Sequence, residues 1–121
     1  MSYSEFIELA EDDLDTAKYL LMVGKFRACV FHAQQSVEKY LKAYILKKEN
    51  ELIRTHSIRY LLEICMQHDN EFKELLDKKV HKIGKFYTLS RYAPIIEISK
   101  EEAEEAVEIA EKVREFVRER I

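Results

Sequence analysis

Between Phe26 and Tyr44 the chain reads FRACVFHAQQSVEKYLKAY, and four of these side chains can do chemistry together. His32, Gln35, Lys39 and Lys42 recur at three- and four-residue intervals, which places them along one side of a helix with Glu38 beside them. An imidazole, an amide and two ammonium groups can donate hydrogen bonds to a phosphate or to the edge of a base. A second set lies later in the chain. Arg91 and Tyr92 fall in a loop and add a guanidinium and a ring that could stack on an unpaired base. These six residues are the candidate ligand-binding set.

The first helix must position this set. The other side of the 26–44 stretch carries Phe26, Val30, Ala33, Val37, Tyr40 and Tyr44, an apolar stripe of helical period. Upstream, the spacing predicts a helix from about Ser4 to Val23, with Ser2 and Glu5 at capping-box spacing. Its expected buried face is Phe6, Leu9, Ala10, Ala17, Leu20 and Leu21. Gly24 can turn the chain back, so the second helix, from about Phe26 to Lys47, lies antiparallel to the first. Asp13 falls near the apolar stripe of the first helix and needs a partner, for which Arg27, Lys39 and Lys42 are within reach.

Beyond a polar loop from Lys48 to Thr55, Ser57 can cap a third, shorter helix carrying Ile58, Leu61, Leu62, Ile64 and Cys65. Asp69 or Asn70 ends it. A fourth helix is expected to carry Phe72, Leu75, Leu76, Val80, Ile83 and Tyr87. Pro94 keeps Ala93 out of the helical region, so Ser90–Pro94 reads as a loop. Ser99 with Glu102 opens the last helix, whose seam is Ala103, Ala106, Val107, Ala110, Val113, Phe116 and Val117. The expected fold is all-α: an up-and-down bundle of four main helices plus a short one, in a single domain over residues 1–121.

Composition fits. The chain has 121 residues, two Gly and one Pro, and 47% hydrophobic residues. No apolar run approaches the ~18 residues of a membrane helix, and the acid-rich start has no signal-peptide core. A cytoplasmic protein is expected. Cys29 and Cys65 are isolated and read as buried free thiols. The net charge of −3 argues against strong nonspecific binding of nucleic acid. Its distribution is uneven, at −5 over residues 1–24, +6 over 25–91 and −4 over 92–121. In the basic middle, Lys73, Lys78, Lys79, Lys82 and Lys85 interleave with Phe72, Phe86, Tyr87 and Tyr92.

Three pieces together resemble the HEPN domain family (higher eukaryotes and prokaryotes nucleotide-binding). They are AEDDLDTAKYLLMVGKFRACVFHAQQSVEKYLKA at Ala10–Ala43, THSIRYLLE at Thr55–Glu63 and YTLSRYAP at Tyr87–Pro94. The resemblance implies a HEPN-type helical bundle, a homodimer, and a partner of the minimal nucleotidyltransferase class in a toxin–antitoxin-like pair. The bundle would bind nucleotide or RNA. Tyr3, Tyr19, Tyr40 and Tyr44 are candidate interface aromatics.

The family's ribonucleases use an Arg-x4-6-His motif near the start of the last major helix. Arg91 stands at that place, but no His follows within six residues. Arg27 and His32 do spell Arg-x4-His, yet on a continuous helix their side chains point about 140° apart. No catalytic residue is therefore assigned, and a noncatalytic binding module is the leading expectation. One alternative is a metal-independent ribonuclease toxin in which His32 or His56 replaces the missing His and Arg91 stabilises the phosphate. Another is a purely structural dimeric adaptor. His56, just before the third helix, is expected to anchor the preceding loop. No Glu-x-x-His pair, no HxxxH and no cysteine cluster points to a metal, and no cofactor is expected.

Overall fold

Five local signals set the helix boundaries in the computed structural model, which describes residues 2–85 and 97–121. Helix α1 spans Tyr3–Met22, with the Ser2 hydroxyl accepting from the Glu5 amide at 3.3 Å. Gly24 takes φ +80°, which only glycine adopts without cost, and the chain reverses there. Helix α2 spans Phe26–Glu49 and ends on Asn50 in the left-handed conformation. Ser57 caps α3, Ile58–His68, as its spacing predicts. Ser99 and Glu102 form a complete capping box at the start of the last helix, Lys100–Arg118, here α5. Among the described residues there is no strand.

The expected fourth helix is not continuous. A 3-10 turn at Asn70–Phe72 leads into α4, Lys73–Asp77, and a second 3-10 segment runs Val80–Gly84. The break is Lys79, whose φ of +61° is left-handed and cannot extend a helix. Tyr87, placed on that helix by its spacing, lies outside the described residues, as does the Ser90–Pro94 loop.

Helices α1 and α2 form the most extensive pairing, and α2 also packs on α5 and α3. Helix α2 is thus central, and its Val30, Ala33, Val37, Tyr40, Leu41 and Ile45 are fully buried. Tyr40 and Tyr44 are core residues of the chain itself, which removes them as interface candidates, whereas Tyr19 is 59% exposed. On α1 the buried set is Phe6, Ala10, Leu14 and Ala17. Leu14 takes the place expected of Leu9, which is outward-facing, because α2 covers the arc centred on Ala10 and Leu14. At the far end, Phe72 packs on Tyr44 and Phe116 with ring centroids 4.5 and 4.8 Å apart.

Two ion-pair groups tie distant segments to this frame. One joins Glu11 of α1, which accepts from Arg114 at 2.8 Å and from Arg118 at 2.5 Å, both on α5. The other gathers Asp69 and Glu71 on Arg120, just past α5, at 3.0 and 2.8 Å. Partial burial raises the Glu11 pKa, but the two guanidinium bonds outweigh it and hold the carboxyl below the ordinary 4.5. A lowered folded-state pKa stabilises the fold above the unfolded value, and that stability is lost as pH falls through the folded one. The melting-temperature gap between wild type and Glu11→Gln should therefore be full at neutral pH and close as pH drops below 4.5. A gap that stays constant across that range would show that Glu11 acts only by packing.

Cys29 and Cys65 are buried and free. Burial pushes the Cys29 thiol up to about 11 and the Cys65 thiol higher still. Thiolates are the reactive form, so neither cysteine should react with a thiol reagent in the native protein. Both should react in denaturant. Rapid native labelling of either would contradict this packing.

Candidate functional site

The chemistry-bearing side chains of α2 are hydrogen-bonded within the chain while remaining partly exposed to water. Its polar side chains fall into two groups, each built round one carboxylate. In the first, Asp13 of α1 accepts from His32 Nδ1 at 2.9 Å and from Lys39 Nζ at 2.5 Å. This supplies the partner Asp13 requires, with Lys39 chosen from the three cations within reach and His32 added. A carboxylate only accepts, so His32 Nδ1 carries the proton and a neutral ring has its lone pair on Nε2.

The second group surrounds Glu38, which is 4% exposed. Glu38 accepts from Lys42 Nζ at 3.0 Å and His56 Nδ1 at 3.0 Å, and from the fully buried Gln34 at 3.4 Å. Gln35 donates to Gln34 at 3.0 Å and so joins this group one bond further out. His56 does anchor its segment, by reaching across to α2. Between the two groups the Ser36 hydroxyl donates to the Ala10 carbonyl at 2.9 Å and ties α2 to α1. Burying a carboxylate is costly unless it is paired and hydrogen-bonded, and each acid here has both.

Of the six candidate ligand-binding residues, His32 and Lys39 come together on Asp13, while Lys42 and Gln35 join the Glu38 group. Arg91 and Tyr92 lie outside the described residues. Arg27 and His32 sit on one unbroken helix that begins at Phe26, so the wide angle between their side chains stands. Of the interleaved aromatics, Phe72 is core and makes no stacking platform.

Sequence reasoning passed over the hollow next to Glu38. A cleft of about 350 Å³ is lined by Phe6, Lys42, Leu52, Ile53, Arg54, Thr55 and His56. Phe6, Leu52 and Ile53 make its lining apolar and aromatic, and Lys42, Arg54, Thr55 and His56 add an ammonium, a guanidinium, a hydroxyl and an imidazole. Arg54 is exposed and has no ion-pair partner among the described residues. The available signal was the run Leu52-Ile53-Arg54-Thr55-His56, where apolar, cationic and hydrogen-bonding residues are adjacent in a loop. Further round, His81 stands beside Arg59, Lys79 and Lys82, and burial and these charges lower its pKa. No group of three or more His, Cys, Asp or Glu among the described residues is arranged to hold a metal ion. No described helix is long and apolar enough to cross a membrane.

A helical bundle with a central α2, short broken helices and a long capped last helix is a known arrangement. The family model of the HEPN domain matches residues 3–120, and the chain belongs to that family. It is similar to a Methanocaldococcus jannaschii protein named "Putative toxin MJ1304", at 31% identity over 93% of this chain and 84% of the relative. Its fold matches the crystal structure of TT1696 from Thermus thermophilus with a TM-score of 0.80, at 26% identity over 98% of both chains. It also matches ST0689, an archaeal HEPN homologue, with a TM-score of 0.76, at 26% identity over 99% of this chain and 98% of that one.

Proposed function

We propose that this chain is a HEPN toxin-like module that binds a nucleotide or RNA without cleaving it. In this reading it acts as a homodimer with a minimal nucleotidyltransferase partner. The observation that carries the reading is the cleft beside Glu38. Its apolar lining can take a base or ribose, and Arg54, Thr55 and Lys42 can meet a phosphate. Lys42 is already balanced by Glu38, so Arg54 supplies the uncompensated charge. The missing His after Arg91 and the unbroken α2 support binding without cleavage. The toxin-like part rests on family membership and on the name of the M. jannaschii relative. The partner class rests on the family resemblance.

A second reading, a metal-independent ribonuclease, is favoured by one observation. His32 is held by Asp13 in the tautomer a general base requires, with Lys39 on the same carboxylate.

One titration separates the two. Labelled single-stranded RNA in EDTA should bind and stay intact, with affinity falling as salt rises. Arg54→Ala should weaken binding roughly tenfold, about the worth of one charge-assisted contact, and flatten the salt dependence. Cleavage lost in His32→Ala would establish the ribonuclease instead. Binding that ignores both salt and Arg54 would remove the cleft from the function.

A further inference from the structure

The outward face of α1 plays no part in the cleft or in the α2 network, yet its composition is unusual. Six large hydrophobic residues are exposed among those described, and four of them are Leu9, Tyr19 and Met22 on this helix and Val23 at its C-cap. Their spacing puts them on one arc, opposite the buried Ala10, Leu14 and Ala17. Single exposed apolar side chains are ordinary, but Tyr19, Met22 and Val23 cluster at the end of the helix, and clustered exposed apolar residues are common at docking surfaces.

The same arc holds four carboxylates, Glu5, Glu8, Asp12 and Asp15, all exposed. None has an ion-pair partner among the described residues. The one base within α1, Lys18, leans away to Glu111 of α5 at 3.5 Å. Glu11, by contrast, is consumed by Arg114 and Arg118 and belongs to the fold. A hollow of about 660 Å³, lined in part by Ile7, Leu9 and Arg118, opens along this flank between α1 and the end of α5. The face is thus acidic over its first half and apolar towards its end, with Leu9 set among the acids.

We propose that this face docks a basic amphipathic helix of another protein. Its Lys or Arg residues would oppose Glu5 to Asp15, and its apolar residues would cover Leu9 and the Tyr19–Val23 end. Charge complementarity selects that occupant. A second copy joined through this face about a two-fold axis would bring Asp12 and Asp15 of both chains together near the axis, with no base on the arc to offset them. Like charges brought together at an interface are strongly unfavourable.

The test uses a fluorescein-labelled 20-residue peptide of lysine and leucine on one helical arc, and a scrambled peptide of the same composition. The folded protein should bind the amphipathic peptide at least tenfold tighter. The double variants Glu8→Lys/Asp12→Lys and Tyr19→Ser/Met22→Ser change only exposed positions, so circular dichroism should be unaltered. Each should weaken peptide binding roughly tenfold, and only the acid reversal should remove the salt dependence. Neither should alter RNA binding, so failure here is distinct from failure of the cleft.

Equal binding of both peptides would overturn the proposal, as would unchanged binding in either variant. Self-association in sedimentation velocity that Tyr19→Ser/Met22→Ser abolishes would overturn it in favour of a second copy.

Discussion

Replacing Glu38 by alanine should lower the unfolding free energy by about 3–5 kcal/mol, the cost of leaving a buried ionic group without its counter-charge. Glu38 is the acceptor for Lys42, His56 and Gln34 together. Without it, Gln34 keeps a buried amide with no carboxylate to meet, and the Lys42 side chain, 11% exposed, keeps a charge with no partner. The loop from Leu52 to Thr55 also loses the His56 anchor that closes the cleft. For a chain of this size the loss corresponds to a fall of about 10–20 °C in melting temperature.

Glu38→Gln should cost much less, because an amide retains one acceptor and most of the shape. Glu38→Leu with Lys42→Met should recover much of the alanine loss, since apolar replacement of a whole buried pair is often neutral. Urea unfolding followed by circular dichroism measures all three. A Glu38→Ala loss below about 1 kcal/mol would show that water, rather than the chain, satisfies this carboxylate.

Phe72→Ala should be comparably severe, at about 3–5 kcal/mol. Phe72 is fully buried where α2, the turn before α4 and α5 meet, against Tyr44 and Phe116. Arg120 closes this corner. Its guanidinium lies 3.5 Å from the Phe116 ring centroid and 5.9 Å from that of Phe72. It also donates to Asp69 at 3.0 Å, to Glu71 at 2.8 Å and to the Phe116 carbonyl at 3.0 Å.

Arg120→Ala should therefore destabilise as well, and the two changes should couple by ~0.5–2 kcal/mol because they share neighbours. Phe72→Leu, which keeps most of the volume, should cost under about 1.5 kcal/mol. A double-mutant cycle in urea checks the coupling. Strict additivity would mean that Arg120 acts on Asp69 and Glu71 alone and not through the rings.

Much of the helical frame could be read directly. Ser2, Ser57 and Ser99 mark three helix starts, and Gly24 marks the reversal, because capping and positive φ are settled by residues within one turn of each other. The apolar stripe of α2 was equally clear, since six apolar residues follow the helical period across it. The broken fourth helix was not. Lys79 carries no signature of a left-handed residue, and its conformation is imposed by packing Phe72, Leu75, Val80 and Ile83 into one core.

The site divides in the same way. His32, Gln35, Lys39 and Lys42 were visible as one helix face, and the need of Asp13 for a partner followed from its place near the apolar stripe. That Glu38 would be buried could not be read, since its flank of α2 looks as polar as any solvated face. Arg54 was missed for a related reason: a loop arginine lines a cleft with Phe6 and Lys42 only once the chain has folded.

The sequence by itself determined the first three helices and the last, the serine caps of α1, α3 and α5, the antiparallel first pair and the family, because each rests on local spacing or on ordered motifs. The tertiary structure alone decided that α2 is surrounded, which converts its polar face from an open surface into two carboxylate centres satisfied by the chain. It likewise joined Arg120 to Asp69 and Glu71 across about fifty residues of chain. Such pairings depend on which elements meet in three dimensions, and helical periodicity specifies a buried face without naming the neighbour that covers it.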